Sequence, residues 1–283
     1  MAINRRNPPD AKIRCCDNLK LMAEMEDCTV DLIYCDILYG TGKKFGNYQD
    51  LKCDRKTIKD HYILRLTEMH RVLKDTGSIY LQMDCRISHW IRIIMDDIFD
   101  YNNFVQTIYW KYEAGGKHKT KFKTVVDEIL FYHKNNKFIL NLDEVTIPHH
   151  PDTYKRIRGY ANAGITINKN GKQRENLWVI NAVKKGNYTK QNKEWVDYTT
   201  QKPKELLNII IKASSNEGDL IADFYLGSGT TAEVCQDLNR NFIGCDINQN
   251  AIKIANKRIE NRQKIFYSEE PKIKEPKLKG FDI

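Results

Sequence analysis

Hydrophobic residues follow two alternating patterns along this chain of 283 residues. Short runs rich in apolar residues at 13–16, 29–35 and 78–83 are typical of buried strands. Apolar positions three and four residues apart over 58–74 and 87–99 predict amphipathic helices. Because strands and helices alternate, we expect an α/β fold built on a doubly wound, mainly parallel sheet.

The same alternation continues beyond residue 100. The turn-forming triplet Asp75-Thr76-Gly77 is expected to close the helix at 58–74, and a polar loop is expected over 41–54. Later elements are expected as strands at 104–110, 128–133 and 243–246, and as helices at 200–212, 233–238 and 249–264. Few strands remain after residue 200, so the late elements are expected to share one sheet with the early ones.

A turn with two glycines, Gly227 and Gly229, follows a short apolar strand and precedes a helix. Glycine reaches backbone conformations that other residues resist, and it lets a ligand approach the main chain closely. Asp246 ends the next strand 19 residues beyond Gly227, where a carboxylate can bind ribose hydroxyls. This layout predicts a nucleotide-type pocket, although an ordinary tight turn has the same glycine spacing. A nicotinamide cofactor fits the Gly-x-Gly-x-x-Ala spacing, whereas a P-loop does not, because no lysine follows the glycines.

A second candidate site follows the apolar strand at 29–35, where the sequence continues as Asp36-Ile37-Leu38-Tyr39. Open α/β sheets bind their ligands at the carboxyl ends of strands. An acid and an aromatic residue at such an end therefore form a candidate site. The alternative is a capping aspartate beside a tyrosine that packs in the core.

Composition limits the class of protein. The 46 Lys and Arg residues against 37 Asp and Glu give a net charge of +9, which suits a polyanionic partner but also describes many solvated basic surfaces. The amino terminus lacks the apolar core of a signal peptide, and no apolar run approaches the roughly 20 residues that span a membrane. The eight cysteines form no Cys-x-x-Cys pair, so we expect reduced thiols and no metal site. A soluble, intracellular protein is the resulting expectation.

Two basic stretches are candidates for contact with nucleic acid. The first follows a pair of glycines and is expected to be a loop that grips phosphates, or else a solvated surface run. In the second, from 143 to 198, hydrophobic periodicity fades and polar residues become frequent, as in a small inserted module. Their candidate DNA-binding residues are Lys117, Lys119, Lys121, Lys123, Arg156 and Arg158.

Three segments together resemble the β group of amino-directed DNA methyltransferases. Asp36-Ile37-Leu38-Tyr39 is similar to the Asp-Pro-Pro-Tyr catalytic motif of that family. Residues 224–231 are similar to its Phe-x-Gly-x-Gly-Thr-Thr methyl-donor loop, and 200–203 to its Thr-x-Lys-Pro element. The catalytic motif comes first, as in the circularly permuted β group, and the stretch 127–132 also matches a segment common there. The resemblance implies a Rossmann-like, permuted methyltransferase fold that uses S-adenosylmethionine.

Ile37 and Leu38 depart from the Pro-Pro of the family motif. Proline contributes stiffness rather than a reactive group, and the carbonyl of residue 37 remains whatever its side chain. We therefore expect activity with a looser site. A catalytically impaired DNA-binding homologue is the alternative that this departure raises.

The resemblance implies a role for each matching residue. Asp36 and the carbonyl of Ile37 would orient the target amine, next to Leu38, and Tyr39 would stack on a flipped base. S-adenosylmethionine would be bound by Asp17, Asp36, Lys202, Asp223, Tyr225, Gly227, Ser228, Gly229, Thr230, Thr231 and Asp246. Among these, Asp17 would contact the adenine ring, Asp246 the ribose, and Lys202 the methionine end.

The implied reaction is site-specific methylation of adenine N6 in double-stranded DNA, because an Asp at the head of the motif usually accompanies adenine. Cytosine-N4 methylation and an NAD-dependent oxidoreductase are the remaining alternatives. The resemblance divides the chain into a catalytic half (1–142), a target-recognition insertion (143–198), an S-adenosylmethionine half (199–265) and a loosely ordered tail (266–283). It is compatible with a homodimer and with a cognate restriction endonuclease as partner. It implies a cytoplasmic enzyme of a bacterium, archaeon or phage, with no membrane association.

Overall fold

Strands and helices alternate in the part of the chain that the computed structural model describes, which comprises residues 9–45, 48–113, 116–117, 119–150, 152, 168–185 and 191–268. The strands are β1 (Ala11–Cys15), β2 (Val30–Asp36), β3 (Lys44–Phe45), β4 (Tyr48–Gln49), β5 (Leu73–Met83), β6 (Phe104–Lys111), β7 (Val126–His133), β8 (Leu177–Val179), β9 (Leu220–Asp223) and β10 (Asn241–Asp246). The helices are α1 (Asn18–Ala23), α2 (Arg55–Val72), α3 (Ser88–Phe99), α4 (Lys204–Ser214), α5 (Thr230–Asp237) and α6 (Gln249–Ser268).

Eight of these strands form one sheet in the order β1-β10-β9-β2-β5-β7-β6-β8. Neighbouring strands are parallel, except that β7 is antiparallel to both β5 and β6. The expected mainly parallel α/β sheet is therefore confirmed. At its centre Leu32 of β2 pairs with Ile221 of β9, so late strands share the sheet with early ones.

Helices cover both faces of the sheet, and β2 shows why. Successive side chains of a strand point to opposite faces. Ile33 and Cys35 pack in a cluster with α2 and α3, whereas Leu32 and Tyr34 pack in a second cluster with α4, α5 and α6. Because both faces are covered, β2 is apolar at nearly every position instead of alternating. The doubly wound arrangement predicted from the sequence is confirmed.

The prediction that Asp75-Thr76-Gly77 forms a turn closing the helix is wrong. Helix α2 ends at Val72, and β5 begins at the next residue, Leu73. Val30 pairs with Leu73 and Leu32 with Ser78, so the predicted turn lies inside the strand as an irregularity in register. A bulge and a turn use the same residue types, which explains the error.

The edge strand β8 lies within 143–198 and has no counterpart among the predicted elements. It spans three residues, of which Trp178 is buried while Leu177 and Val179 are exposed. Strand β8 pairs with β6, so this part of the segment belongs to the main sheet. None of the helices within the described ranges is both long enough and apolar enough to cross a membrane.

Candidate active site

Aspartate side chains gather at the edge of the sheet where its parallel strands end. Asp36, Asp223 and Asp246 are the last residues of β2, β9 and β10. Asp17 caps helix α1, directly beyond β1. Because β7 runs in the opposite direction, its second residue, Asp127, reaches the same edge. Ligands bind at this edge in open α/β sheets, so the acids indicate a functional site.

A pocket of about 210 Å³ lies at this edge, between the segment 36–39 and the loop 227–231. The predicted site residues that line it are Asp17, Asp36, Ile37, Leu38, Tyr39, Lys202, Asp223, Tyr225, Gly227, Ser228, Thr230, Thr231 and Asp246. Gly229 does not line the pocket and instead packs against Ala255 of α6. The two candidate sites of the sequence thus form one pocket.

Both carboxylate oxygens of Asp36 have partners within the protein. The Tyr39 hydroxyl lies 2.8 Å from Oδ1, and Lys202 Nζ forms an ion pair with Oδ2. Burial raises the pKa of the Asp36 carboxyl, and the Asp127 charge adds to the rise, whereas Lys202 opposes it. Lys202 comes from the segment before α4, so one ion pair joins that segment to the end of β2.

Hydrogen bonds hold the segment that carries Ile37 and Leu38 in place of proline. The Ile37 amide donates to the Gln82 carbonyl at 3.0 Å, and the Leu38 carbonyl accepts from the Tyr62 hydroxyl at 3.0 Å. Asp50, which is 4% exposed, accepts from the amides of residues 40 and 41 at 3.2 and 2.7 Å. These bonds supply restraint that a proline ring would otherwise provide. No sequence pattern marked Asp50 as a site residue.

Side-chain hydroxyls of the glycine loop brace the loop itself. Asp223 Oδ2 accepts from the Thr231 hydroxyl at 2.6 Å, and Oδ1 accepts from the Tyr225 amide at 3.0 Å. The Gly227 amide donates to Asp246 Oδ2 at 2.9 Å. Burial raises the pKa of Asp223 to about 7. The loop therefore depends on two carboxylates at neighbouring strand ends.

Arg258 of α6 holds the same loop from behind and was not predicted. Its Nη1 lies 3.1 Å from the Ser228 carbonyl, 3.2 Å from the Ser228 hydroxyl and 3.0 Å from the Thr230 hydroxyl. Its Nε forms a 2.6 Å ion pair with Glu233. The side chain of Arg258 is 6% exposed, whereas the sequence shows only one more cation in a charged helix. Because Arg258 is buried and donates several hydrogen bonds to the loop, it fixes the conformation of that loop.

The far end of the pocket is polar. Asp17 Oδ1 accepts from the Leu19 amide at 2.8 Å, and Oδ2 pairs with Arg65 at 2.7 Å. Asn18 donates to the Phe224 carbonyl at 3.2 Å. His61, whose pKa burial lowers to about 4, lies with Nε2 3.2 Å from the Tyr225 hydroxyl. Asn18, His61 and Arg65 all line the pocket, and no sequence motif marked them.

The polar atoms of this end fit an adenosine-containing ligand. Asn18 Oδ1 and Arg65 Nε are buried and have no hydrogen-bond partner among the residues that the structure describes. Asp246 accepts one amide bond on each oxygen, at 2.9 and 2.8 Å, which leaves a lone pair on each for hydroxyls. Ile247 is 67% exposed at the pocket wall and offers an apolar surface to a purine ring.

Replacing Asp223 by asparagine is expected to flatten the pH dependence of stability. The folded-state pKa of about 7 exceeds the ordinary value of 3.8, so between these pH values the folded protein keeps a proton that the unfolded chain has released. The contribution of Asp223 is thus fully present below pH 3.8 and falls by about 1.4 kcal/mol per pH unit up to its folded-state pKa.

Urea unfolding of the wild-type protein and the Asp223→Asn variant at several pH values from 4.5 to 7.5 measures this effect. Asp36, whose pKa is also raised, titrates in both proteins, so only its interaction with the charge of Asp223 remains in the difference. The free energy of unfolding of the wild type, relative to the variant, is expected to decrease steadily as the pH rises. Parallel curves would show that Asp223 keeps its ordinary pKa.

Comparison with known proteins agrees with this geometry. The family model described as DNA methylase, N6_N4_Mtase, matches residues 30–257. The chain is 32% identical over 267 residues to the Type II methyltransferase M.HpaI of Haemophilus parainfluenzae, covering 94% of this chain and 79% of that protein. It is 29% identical over 251 residues to the DNA adenine methyltransferase YhdJ of Escherichia coli K12, covering 88% and 82%.

Two solved structures share the fold. The PvuII DNA methyltransferase, described as cytosine-N4-specific, superposes with a TM-score of 0.62 at 15% identity, over 93% of this chain and 95% of that one. The M1.HpyAVI–SAM complex superposes with a TM-score of 0.56 at 18% identity, over 88% and 99%. Since the family model covers most of the sequence and the relatives align along nearly all of it, this chain belongs to the N6_N4_Mtase family of DNA methylases.

Proposed function

We propose that this protein transfers a methyl group from S-adenosylmethionine to adenine N6 in DNA. The observation that carries the proposal is the position of Asp36. Its carboxylate faces the same pocket as the glycine loop, and Lys202 connects the two. An acid at the head of this motif, beside a donor-type loop, is the arrangement expected of an adenine-N6 enzyme.

The amine of adenine is a poor nucleophile, because its lone pair is delocalised into the ring. Asp36 accepts a hydrogen bond from one amine proton, and the Ile37 carbonyl accepts from the other, which favours a pyramidal nitrogen. Tyr39 stacks on the base, whose removal from the duplex costs a few kcal/mol. S-adenosylmethionine supplies the methyl group on a sulfonium, and the residues of this chain contribute mainly by positioning.

Lys202 must release Asp36 before the amine can bind. In the structure Lys202 occupies Oδ2, and its ammonium lies 5.6 Å from the centre of the Tyr39 ring. The carboxylate at the methionine end of S-adenosylmethionine is negatively charged, like Asp36, so Lys202 can pair with it instead. We therefore assign Lys202 to the donor, as the resemblance implied, with release of Asp36 as the consequence of donor binding.

Incubating the protein with labelled S-adenosylmethionine and duplex DNA, followed by nucleoside analysis, tests the proposal. We expect N6-methyladenine. N4-methylcytosine as the sole product would overturn the adenine assignment, which the similarity to the cytosine-specific PvuII enzyme makes a necessary control. Donor binding by calorimetry without turnover on mixed genomic DNA would indicate an impaired homologue, and binding of NAD alone would indicate an oxidoreductase.

The basic segment between β6 and β7 is the proposed contact with the phosphate backbone. Strand β5 is parallel to β2, and β7 is antiparallel to both β5 and β6, so β6 runs in the same direction as β2. The basic segment that follows β6 therefore leaves the sheet at the edge where the pocket lies. Lys117, Lys119, Lys121 and Lys123 are exposed. Phe122, between two of these lysines, is 98% exposed. Cations beside an exposed aromatic ring suit a nucleic acid, which offers phosphates and base faces.

Replacing Lys121 and Lys123 by glutamine is expected to weaken binding to all DNA sequences alike. Each lost phosphate contact lowers the slope of log affinity against log salt by about 0.9, so the pair should reduce it by nearly two. Fluorescence anisotropy over a range of salt concentrations measures the slope. The matched control replaces Lys253 and Lys257, an exposed pair on α6. Equal slopes for both double variants would place the DNA elsewhere.

The remaining assignments rest on the resemblance. Arg156 and Arg158 lie outside the described residues, and 143–198 stays the proposed target-recognition segment between the halves 1–142 and 199–265. Exchanging this segment with that of a relative of different specificity, followed by mapping of methylated sites, tests it. A restriction endonuclease as cognate partner is proposed because relatives such as M.HpaI are named Type II methyltransferases. A homodimer is likewise a proposal.

A further inference from the structure

Asp127 is a second carboxylate in direct contact with the catalytic segment. It is 4% exposed and accepts hydrogen bonds from side chains of three separate chain segments. Its Oδ2 accepts from the Tyr39 hydroxyl at 2.6 Å and from Gln82 Nε2 at 3.0 Å, and its Oδ1 accepts from the Tyr112 hydroxyl at 3.1 Å. Among the described residues, no lysine, arginine or histidine forms an ion pair with Asp127.

The Tyr39 hydroxyl lies between two carboxylates and has one proton. Its oxygen is 2.8 Å from Asp36 Oδ1 and 2.6 Å from Asp127 Oδ2. The proton can be donated to one of them at a time, and Gln82 Nε2 donates to both the hydroxyl and Asp127, at 3.2 and 3.0 Å. A hydroxyl held in this way fixes the end of the Tyr39 ring and places the charge of Asp127 near Asp36.

Resting on the proposed methyl transfer, we infer that Asp127 is a positioning residue that anchors Tyr39 for stacking and keeps Asp36 a good proton acceptor. The ring is anchored through its hydroxyl, so the anchoring bonds do not cover its face. A like charge nearby makes a carboxylate hold a proton more strongly. Both effects act through Tyr39 and Asp36, and Asp127 itself touches no reacting atom.

The second effect matters because the amine must lose a proton. During transfer the lone pair of N6 forms the nitrogen–carbon bond, and the carbon–sulfur bond breaks with its electron pair going to sulfur. One N–H proton then passes from the amine to the Asp36 carboxylate, which balances the charge. A more basic Asp36 accepts the hydrogen bond and the proton more readily.

Other groups also influence Asp36, and the Asp127→Asn substitution leaves their own charges unchanged. They are Lys202 from the segment before α4, Tyr39 from the catalytic segment, Tyr34 of β2 and Asp223 of β9. Lys202 lowers the pKa of Asp36, whereas Asp127 raises it. Removal of the Asp127 charge is therefore expected to lower the pKa of Asp36.

The test is the pH profile of single-turnover methylation by the full-length Asp127→Asn variant. Activity requires ionised Asp36, so the rate rises with pH through the pKa of that group. We expect the midpoint of this rise to move to lower pH by roughly one unit. At the plateau we expect the rate to fall about tenfold through loss of positioning, with the donor dissociation constant changed less than twofold.

The matched control is Glu128→Gln, which removes the same charge from the adjacent residue of β7, and it should leave the midpoint unchanged. Tyr39→Phe completes a double-mutant cycle. If Asp127 positions through the hydroxyl, adding Asp127→Asn to Tyr39→Phe should lower the plateau rate less than twofold further. Rates are normalised to the donor-binding fraction measured by calorimetry, so partial unfolding does not imitate the effect.

An unmoved midpoint in Asp127→Asn, or the same shift in Glu128→Gln, would overturn the inference. So would full additivity of the two substitutions in the cycle. If Asp127→Asn binds no donor at all, Asp127 supports the fold rather than the reaction, and the inference also fails. Absence of methylation by the wild-type protein would instead refute the proposed function, so the two failures are distinguishable.

Discussion

The Asp36→Asn variant is expected to methylate DNA at least about 10³-fold more slowly than the wild-type protein while still binding the methyl donor. Asparagine keeps one oxygen for Lys202 but cannot take the proton that leaves the amine. Its amide also carries donors where the site needs an acceptor. Single-turnover assays with labelled donor measure the rate, and calorimetry measures donor affinity.

The matched control for this loss is Asp60→Asn. Asp60 lies on α2 and forms an i,i+4 ion pair with Lys56, with about three-fifths of its side chain exposed (59%). Such an exposed pair contributes little to stability, so the control should keep its rate and its stability. A rate for Asp36→Asn within tenfold of the control would remove Asp36 from the catalytic role.

The second large effect is expected for Gly229→Ala, through the conformation of the donor loop. Gly229 has φ +79°, and a Cβ there would lie 2.6 Å from Ala255 Cβ and 2.9 Å from Ala255 Cα. Backbone strain of about 1–2 kcal/mol and overpacking of about 1–3 kcal/mol should add. The loop must move away from α6, so donor affinity should fall by more than tenfold.

Gly227→Ala separates the clash from the strain. Gly227 also has a positive φ, +52°, but a Cβ there would lie 3.5 Å from the nearest atom, in the Tyr198 ring. This is ordinary contact, so the stability of the protein should fall only by the strain of about 1–2 kcal/mol. Thermal unfolding of both variants measures the difference, whereas donor calorimetry compares Gly229→Ala with the wild type, because Gly227 itself lines the pocket. Equal losses of stability in the two variants would mean that packing against α6 does not determine the conformation of the loop.

Much of the fold and the centre of the site could be predicted from the sequence, because their signals are local. The apolar run of β2 and the turn with Gly227 and Gly229 are marked by adjacent residues. Once a strand is predicted, the position of an acid at its end, such as Asp36, is predicted as well. The parallel sheet then requires that the two segments meet at one edge.

The residues that escaped prediction act across long sequence distances. Asp127 reaches Tyr39 because β7 is reversed, and the sequence of a strand does not reveal its direction. The resemblance of 127–132 to the family assigned no role to Asp127. Arg258 and Asp50 are charged residues in charged or polar stretches, and only the packing shows that they are buried. The bulge in β5 was missed because its residues also form turns.

The pairing of late strands with early ones also determines how this chain must fold. Asp10 bonds to Asn241, 231 positions away, and Phe224 bonds to Cys35, 189 positions away. Closing such long loops is slow, since the entropy is lost before the contacts form. During synthesis on a ribosome, β2 is made roughly 10 s or more before β9. Throughout that interval an apolar strand has one open edge, so newly made chains need chaperones or low concentration to avoid pairing with one another.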